Sequence, residues 1–212
     1  MDPLHQALDE IAAIRGQMAR ANEFRGYGPA TLAATALVAV AAGLIQPLWA
    51  PDPVRTPERY VALWAVAAAV AAALIACEAV ARTRRLHSAL SNAMIRAALE
   101  QFLPAATAGL LLTIVVLHWI PADLSLLPAL WLVVFSLGVF ASCRFLPRAA
   151  RAVGVWYLIT GLWALSISAG PLALRPWVMA APFAVGQALA AAILWSTAEA
   201  GAAAAEGLDE RG

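Results

Sequence analysis

The chain has no lysine, so all fourteen of its fixed positive charges are arginine. Charged residues of either sign make up only 13% of its 212 residues, about half the share of a soluble domain. Cysteine and histidine are scarce too, with two and three residues. Cys77 and Cys143 fall inside apolar stretches without a CxxC pair or a Cys/His cluster, which points to buried free thiols, not a disulfide or a metal pair. No HExxH pair, GxxxxGK[ST] loop or GxSxG elbow occurs, and no two aspartates lie deep in neighbouring apolar stretches. Zinc, nucleotide and serine-hydrolase chemistries lose their usual carriers, and the sequence implies no catalytic residue, metal, cofactor or nucleic-acid partner.

What is present is apolar length. Hydrophobic residues make up 63% of the chain and the mean hydropathy is +0.77. A helix rises about 1.5 Å per residue, so about 20 apolar residues cross the roughly 30 Å hydrocarbon layer. Six stretches meet that length: 30–49, 60–80, 103–120, 124–145, 153–169 and 177–196. The expected fold is all-α, a polytopic bundle of six transmembrane helices over 28–197. An amphipathic helix at 1–27 precedes it, a helical link joins spans two and three, and a short tail (198–212) follows. Asp9, Glu10 and Glu23 stand among the first arginines and no short apolar core precedes the first span, which is expected to act as an uncleaved anchor.

The arginines orient the bundle. Arg15, Arg20, Arg25, Arg82, Arg84, Arg85, Arg96, Arg144, Arg148, Arg151 and Arg211 fall on one side of alternating spans, against Arg55, Arg59 and Arg175 on the other. The positive-inside rule then places both termini in the cytoplasm. Trp49, Trp64, Trp119, Trp131 and Trp177 lie near the outer span ends, where indole rings anchor at the headgroups. Combined with the alanine content, arginine without lysine has the look of a GC-rich bacterial genome, and alanine runs carry little weight as motifs.

Two arginine-side segments are amphipathic. Ala7, Ile11, Ile14, Met18 and Ala21 repeat at spacings of four and three, as do Leu86, Leu90, Met94 and Ala97 opposite Arg82, Arg84, Arg85 and Arg96. Such helices lie on a membrane, pack beneath the bundle, or meet a partner. Gly154 and Gly161, and likewise Ala65, Ala69 and Ala73, have the spacing of close helix packing. QFLPAAT (101–107) is echoed by RFLPRAA (144–150), which would suit a duplicated helix pair, but Pro104 opens a span whereas Pro147 lies in a link.

Ionisable groups near apolar spans are functional candidates because an intramembrane charge is costly. Glu78 precedes Arg82 by four residues, so the two share a helix face as an interfacial ion pair or as part of a cation or proton site. Glu100, Gln101 and Arg144 reach the same depth, and together the five form a candidate polar cluster at the cytoplasmic face. Pro182, Gly186 and Gln187 in the last span suggest either a broken helix of the kind that lines transporter sites or a packing kink. His118, beside Trp119 and ahead of Asp123, is a candidate sensor of external pH, set against a plain interfacial ring.

The strings FRGYGP (24–29), EQFLP (100–104), LPALWLVVFSLGVFASCRFLPR (127–148) and PFAVGQ (182–187) resemble an uncharacterised family of bacterial six-span inner-membrane proteins. The resemblance implies that placement and no activity. The expected function is a non-enzymatic sensor or regulatory membrane module. Its cytoplasmic amphipathic helices would meet a protein partner or a second copy of the chain, with the lipid bilayer as its solvent. The rival is a small-solute or ion transporter or channel gated at the level of Glu78, Glu100 and Arg144.

Overall fold

The computed structural model describes residues 28–86, 89–143 and 148–209, with side chains over 28–81, 100–143 and 149–196 and at Glu199. The expected amphipathic helix at 1–27, His87 and Arg144 lie outside the described residues, as do the side chains of Arg82 and of the Leu86–Ala97 stripe. Among the described residues the chain is all helical: α1 (Pro29–Trp49), α2 (Pro57–Leu86), α3 (Ala89–Trp119), α4 (Leu127–Ser142), α5 (Arg151–Ser166) and α6 (Pro176–Asp209). Two 3-10 segments, Pro121–Leu126 and Arg148–Ala150, lead into α4 and α5.

Proline sets several of the starts. Pro29 occupies the first turn of α1 and Pro57 opens α2, positions where a missing N–H costs nothing. Between them, Asp52 accepts the Arg55 backbone N–H at 3.2 Å and pairs with its guanidinium at 3.2 Å, folding the link into a tight exposed turn. Five segments are long and apolar enough to cross a membrane: Pro29–Trp49, Pro57–Ala81, Glu100–Trp119, Pro121–Ser142 and Pro176–Ser196. The stretch expected as a fifth span is α5, whose 16 residues rise about 24 Å, less than the hydrocarbon thickness.

Neighbouring helices run antiparallel. Late in α1, Gly43 meets Ala180 early in α6, while early in α1 Leu32 clusters with Ala191 and Leu194 late in α6. Gly161 and Gly154 of α5 face Val133 and Phe140 of α4, the close packing expected from their spacing. Gly138 of α4 receives Phe102 and Ala105 of α3. Small residues dominate these contacts because lipid tails are as apolar as leucine, so close backbone approach, not removal from water, favours association.

The packing divides the bundle into two sheaves. In the first, α1 lies along both α2 and α6; in the second, α4 lies along both α3 and α5. Contacts between the sheaves, α5 with α6, α2 with α3 and α4 with α6, are far sparser. The alanine stripe Ala65, Ala69 and Ala73, expected to pack closely, is exposed on α2 among the described residues. The second link is helical along residues 82–86 and 89–99, but as continuations of α2 and α3, not as a separate element.

Candidate functional site

Glu78 is half-buried near the end of the α2 span, Glu100 is exposed where the α3 span begins, and Gln101 is half-buried beside it. Arg144 and the Arg82 side chain fall outside the description, so the five-residue polar cluster is placed in part: three of its members sit at the arginine-rich end of two helices that touch sparsely. Cys77 is exposed and Cys143 half-buried, both free thiols. Among the described residues no three His, Cys, Asp or Glu side chains stand together as a metal site.

His118 is exposed in the last turn of α3. Its Nδ1 lies 3.1 Å from the Ile114 carbonyl and its ring tilts against Trp119 at 5.9 Å. The Ile114 carbonyl, one turn back in the helix, orients the ring; Asp123 is exposed in the following 3-10 segment.

Of the two readings of Pro182, a broken helix or a packing kink, the helix is not broken. Helix α6 runs unbroken through Pro182, Gly186 and Gln187, because each neighbouring residue stays helical and α5 covers the segment. Trp156 donates its indole N–H to the Pro182 carbonyl at 2.9 Å. One residue on, the Tyr157 ring presses against Gly186, where any Cβ would collide with the ring tip and hydroxyl. The segment is therefore a seat for α5, built by a glycine that admits an aromatic ring.

A second polar feature went unpredicted. Gln46, 2% exposed in α1, donates from Nε2 to the Leu174 carbonyl at 2.8 Å and accepts the Trp64 indole N–H on Oε1 at 3.1 Å. It ties α1, α2 and the link before α6 at the arginine-poor end. In the other sheaf Trp131 donates to Thr113 Oγ1 at 2.8 Å, and Thr113 in turn donates to Gly109 O at 2.7 Å. Trp64 and Trp131 thus spend their N–H groups inside the bundle and do not anchor at the surface, whereas Trp49, Trp119 and Trp177 are exposed. A glutamine one residue before a proline in an apolar span was the available signal for Gln46.

Tyr60 and Tyr157 were also missed. Both are 0% exposed, and among the described residues theirs are the buried side-chain polar atoms without a hydrogen-bond partner. Tyr60 stacks on Trp131, centroids 6.3 Å apart and 3° between planes; Tyr157 meets Phe135 edge-on at 4.7 Å and Phe183 at 5.3 Å. No family model, curated protein or solved structure matches this chain.

Proposed function

We propose that the chain is a six-span protein of the bacterial inner membrane with both termini in the cytoplasm. In this reading it works as a non-enzymatic regulatory module that presents helices to a cytoplasmic partner or to a second copy of itself. One observation carries the reading: helices overrun their spans at one end only. The apolar stretch of α2 ends at residue 80 and its helix at Leu86; that of α3 begins at residue 103 and its helix at Ala89; that of α6 ends at residue 196 and its helix at Asp209. At 1.5 Å per residue the α3 and α6 extensions each run about 20 Å beyond the apolar stretch. The opposite end carries only turns and one 3-10 segment. The arginine count assigns the projecting end to the cytoplasm, and α5, packed antiparallel to α4 and α6 and led in by a 3-10 turn, supports a sixth crossing.

The test is photo-crosslinking in intact cells from single positions in the extensions, Ser91, Ala98 and Ala203, against Val54 and Leu172 at the other end. The expected result is crosslinking to one protein species, or to the chain itself, from the extensions alone. Crosslinks absent from the extensions, or equal at both ends, would remove the reading. The transporter reading draws on the half-buried Glu78 where the α2 span meets the arginine-rich side. It requires solute or proton flux in liposomes that Glu78→Gln changes.

A further inference from the structure

Of the five long apolar spans, those of α2 and α3 are the least covered by the rest of the chain. The two helices meet at the arginine-poor end, where Val61 packs on Val116, Leu124 and Leu127, and take different neighbours further along. Ile75, later in α2, lies against Leu32 of α1 and Ala191 and Leu194 of α6, whereas Phe102, early in α3, stays on Phe135 and Gly138 of α4. Phe135 shows what the divergence leaves open. It stands two residues from the exposed Leu137, about 200° around α4, and so points into the bundle. There it meets the rings of Phe102 at 5.3 Å, Tyr157 at 4.7 Å and Phe183 at 5.2 Å, from α3, α5 and α6, and still it is only half-buried. Val139, one turn on, is half-buried too. The inward side left uncovered is that of α2. At the arginine-poor end Tyr60 of α2 closes it by stacking on Trp131. Further along the same face α2 presents Ala67 and Ala71, both half-buried, whose methyl groups do not reach where a phenol does.

We propose that this crevice between α2 and α3 holds one acyl chain of an anionic phospholipid from the leaflet on the arginine-rich side. Its walls, Ala67, Ala71, Phe135 and Val139, carry no polar side-chain atom, and they lie within the spans, where hydrocarbon is the available filler. An empty gap would forfeit the contacts of every atom lining it. A helix of a second copy, about 10 Å across, is too thick to reach a ring already flanked by three helices. The far end is shut by the Tyr60–Trp131 stack and by Leu174, which packs on Leu124 and Leu127 and whose carbonyl Gln46 holds at 2.8 Å, so a chain enters from the arginine-rich side. On that side the sequence places Arg82, Arg84 and Arg85 just after the α2 span and Arg96 just before that of α3, against Glu78 and Glu100. The excess of two positive charges favours an anionic headgroup over a zwitterionic one. This inference goes beyond the regulatory reading and stands without it.

The experiment places photoreactive benzoylphenylalanine at Phe135 in the full-length chain, reconstituted in vesicles of phosphatidylethanolamine with a minor share of phosphatidylglycerol, and identifies the adducts by mass spectrometry after irradiation. The same group at Leu137, which faces lipid, reports the bulk composition; at Leu132, 0% exposed, it reports packed protein. The expected result is crosslinks within the chain from Leu132 and phospholipid adducts from Phe135. In those adducts phosphatidylglycerol is enriched over the Leu137 adducts by at least about fivefold, the pull of one arginine near an anionic surface. Ala71→Phe fills the crevice from the α2 side and lowers the Phe135 adduct several-fold while leaving the Leu137 adduct unchanged. Ala71→Leu, a smaller insert, lowers it in part and separates filling from a folding defect. Crosslinks from Phe135 to protein alone, lipid adducts there at the bulk ratio, or adducts that neither substitution at Ala71 lowers, overturn the proposal. Partner crosslinks from the helical extensions are read in a separate experiment, so either inference can fail while the other stands.

Discussion

Trp64 of α2 donates its indole N–H to Gln46 Oε1 of α1 at 3.1 Å, in a place where Gln46 is 2% exposed and its own N–H bonds are turned to the Leu174 carbonyl. One amide thus meets the needs of a tryptophan and of non-helical main chain close to a span end. Irregular backbone at that depth persists only where protein groups satisfy it.

Gln46→Leu keeps the bulk and removes both bonds, leaving the Trp64 N–H and the Leu174 carbonyl buried and unpaired. The variant is expected to lose about 1–3 kcal/mol of stability, the range for an orphaned buried polar group. Unfolding with SDS in mixed micelles measures it. Gln46→Leu combined with Trp64→Phe should recover part of the loss, since the unpaired indole is then gone.

Tyr60→Phe removes a hydroxyl with no partner and keeps the stack on Trp131, so it should leave stability unchanged or raise it by about 1 kcal/mol. Tyr60→Leu loses the ring contact and should destabilise the bundle. Destabilisation by Tyr60→Phe would mean that the hydroxyl has a partner in the folded protein.

At Gly43 a Cβ would fall 2.6 Å from the Ala180 Cβ, closer than such atoms approach. Gly43→Ala therefore forces α1 and α6 apart along the tightest interface of the first sheaf, at a cost of about 1–3 kcal/mol. Ala180→Gly in the same chain should restore most of it. Failure of that rescue would show that the two helices do not meet through these residues.

Most of the architecture follows from the hydrocarbon's demand for about 20 apolar residues per crossing, which is why the spans at Ala39, Val70 and Val185 were readable. Helix pairing was not, because a residue facing lipid and a residue facing a helix are both apolar and no periodicity separates them. Ala42 is buried against a neighbour and Ala69 is exposed, and no local signal in the sequence distinguishes them. The candidate groups were chosen for charge, yet the polar bonds between helices use neutral side chains, Gln46 with Trp64 and Thr113 with Trp131, that helix packing brings together. Pro182 and Gly186 stand out in the sequence, but their role as a seat depends on Trp156 and Tyr157, which only the fold places opposite them.

The arginine bias makes a directional prediction. Single cysteines at Val54, Asp123 and Leu172, in a chain freed of Cys77 and Cys143, should react with a membrane-impermeant maleimide on intact spheroplasts. Cysteines at Ala98 and Glu199 should react only after lysis. The reverse pattern would invert the bundle and with it the assignment of the projecting helices.

The contrast between two small residues tests the packing most directly. At Gly161 a Cβ would stand 2.8 Å from Val133 Cγ2 and 3.0 Å from the Val133 backbone nitrogen, and a backbone atom cannot swing aside as a side chain can. Gly161→Ala is therefore expected to cost about 1–3 kcal/mol. Ala69 is exposed on α2, so Ala69→Leu should stay within about 0.5 kcal/mol of the parent in detergent, as surface changes do. The same pair read in lipid bilayers separates lipid from protein as the neighbour of α2. If Ala69→Leu is neutral in detergent monomers but lowers self-association measured by energy transfer in bilayers, the exposed alanine stripe meets a second copy. If it is neutral in both, α2 faces lipid, and the Gly161→Ala loss alone reports how α4 and α5 are held together.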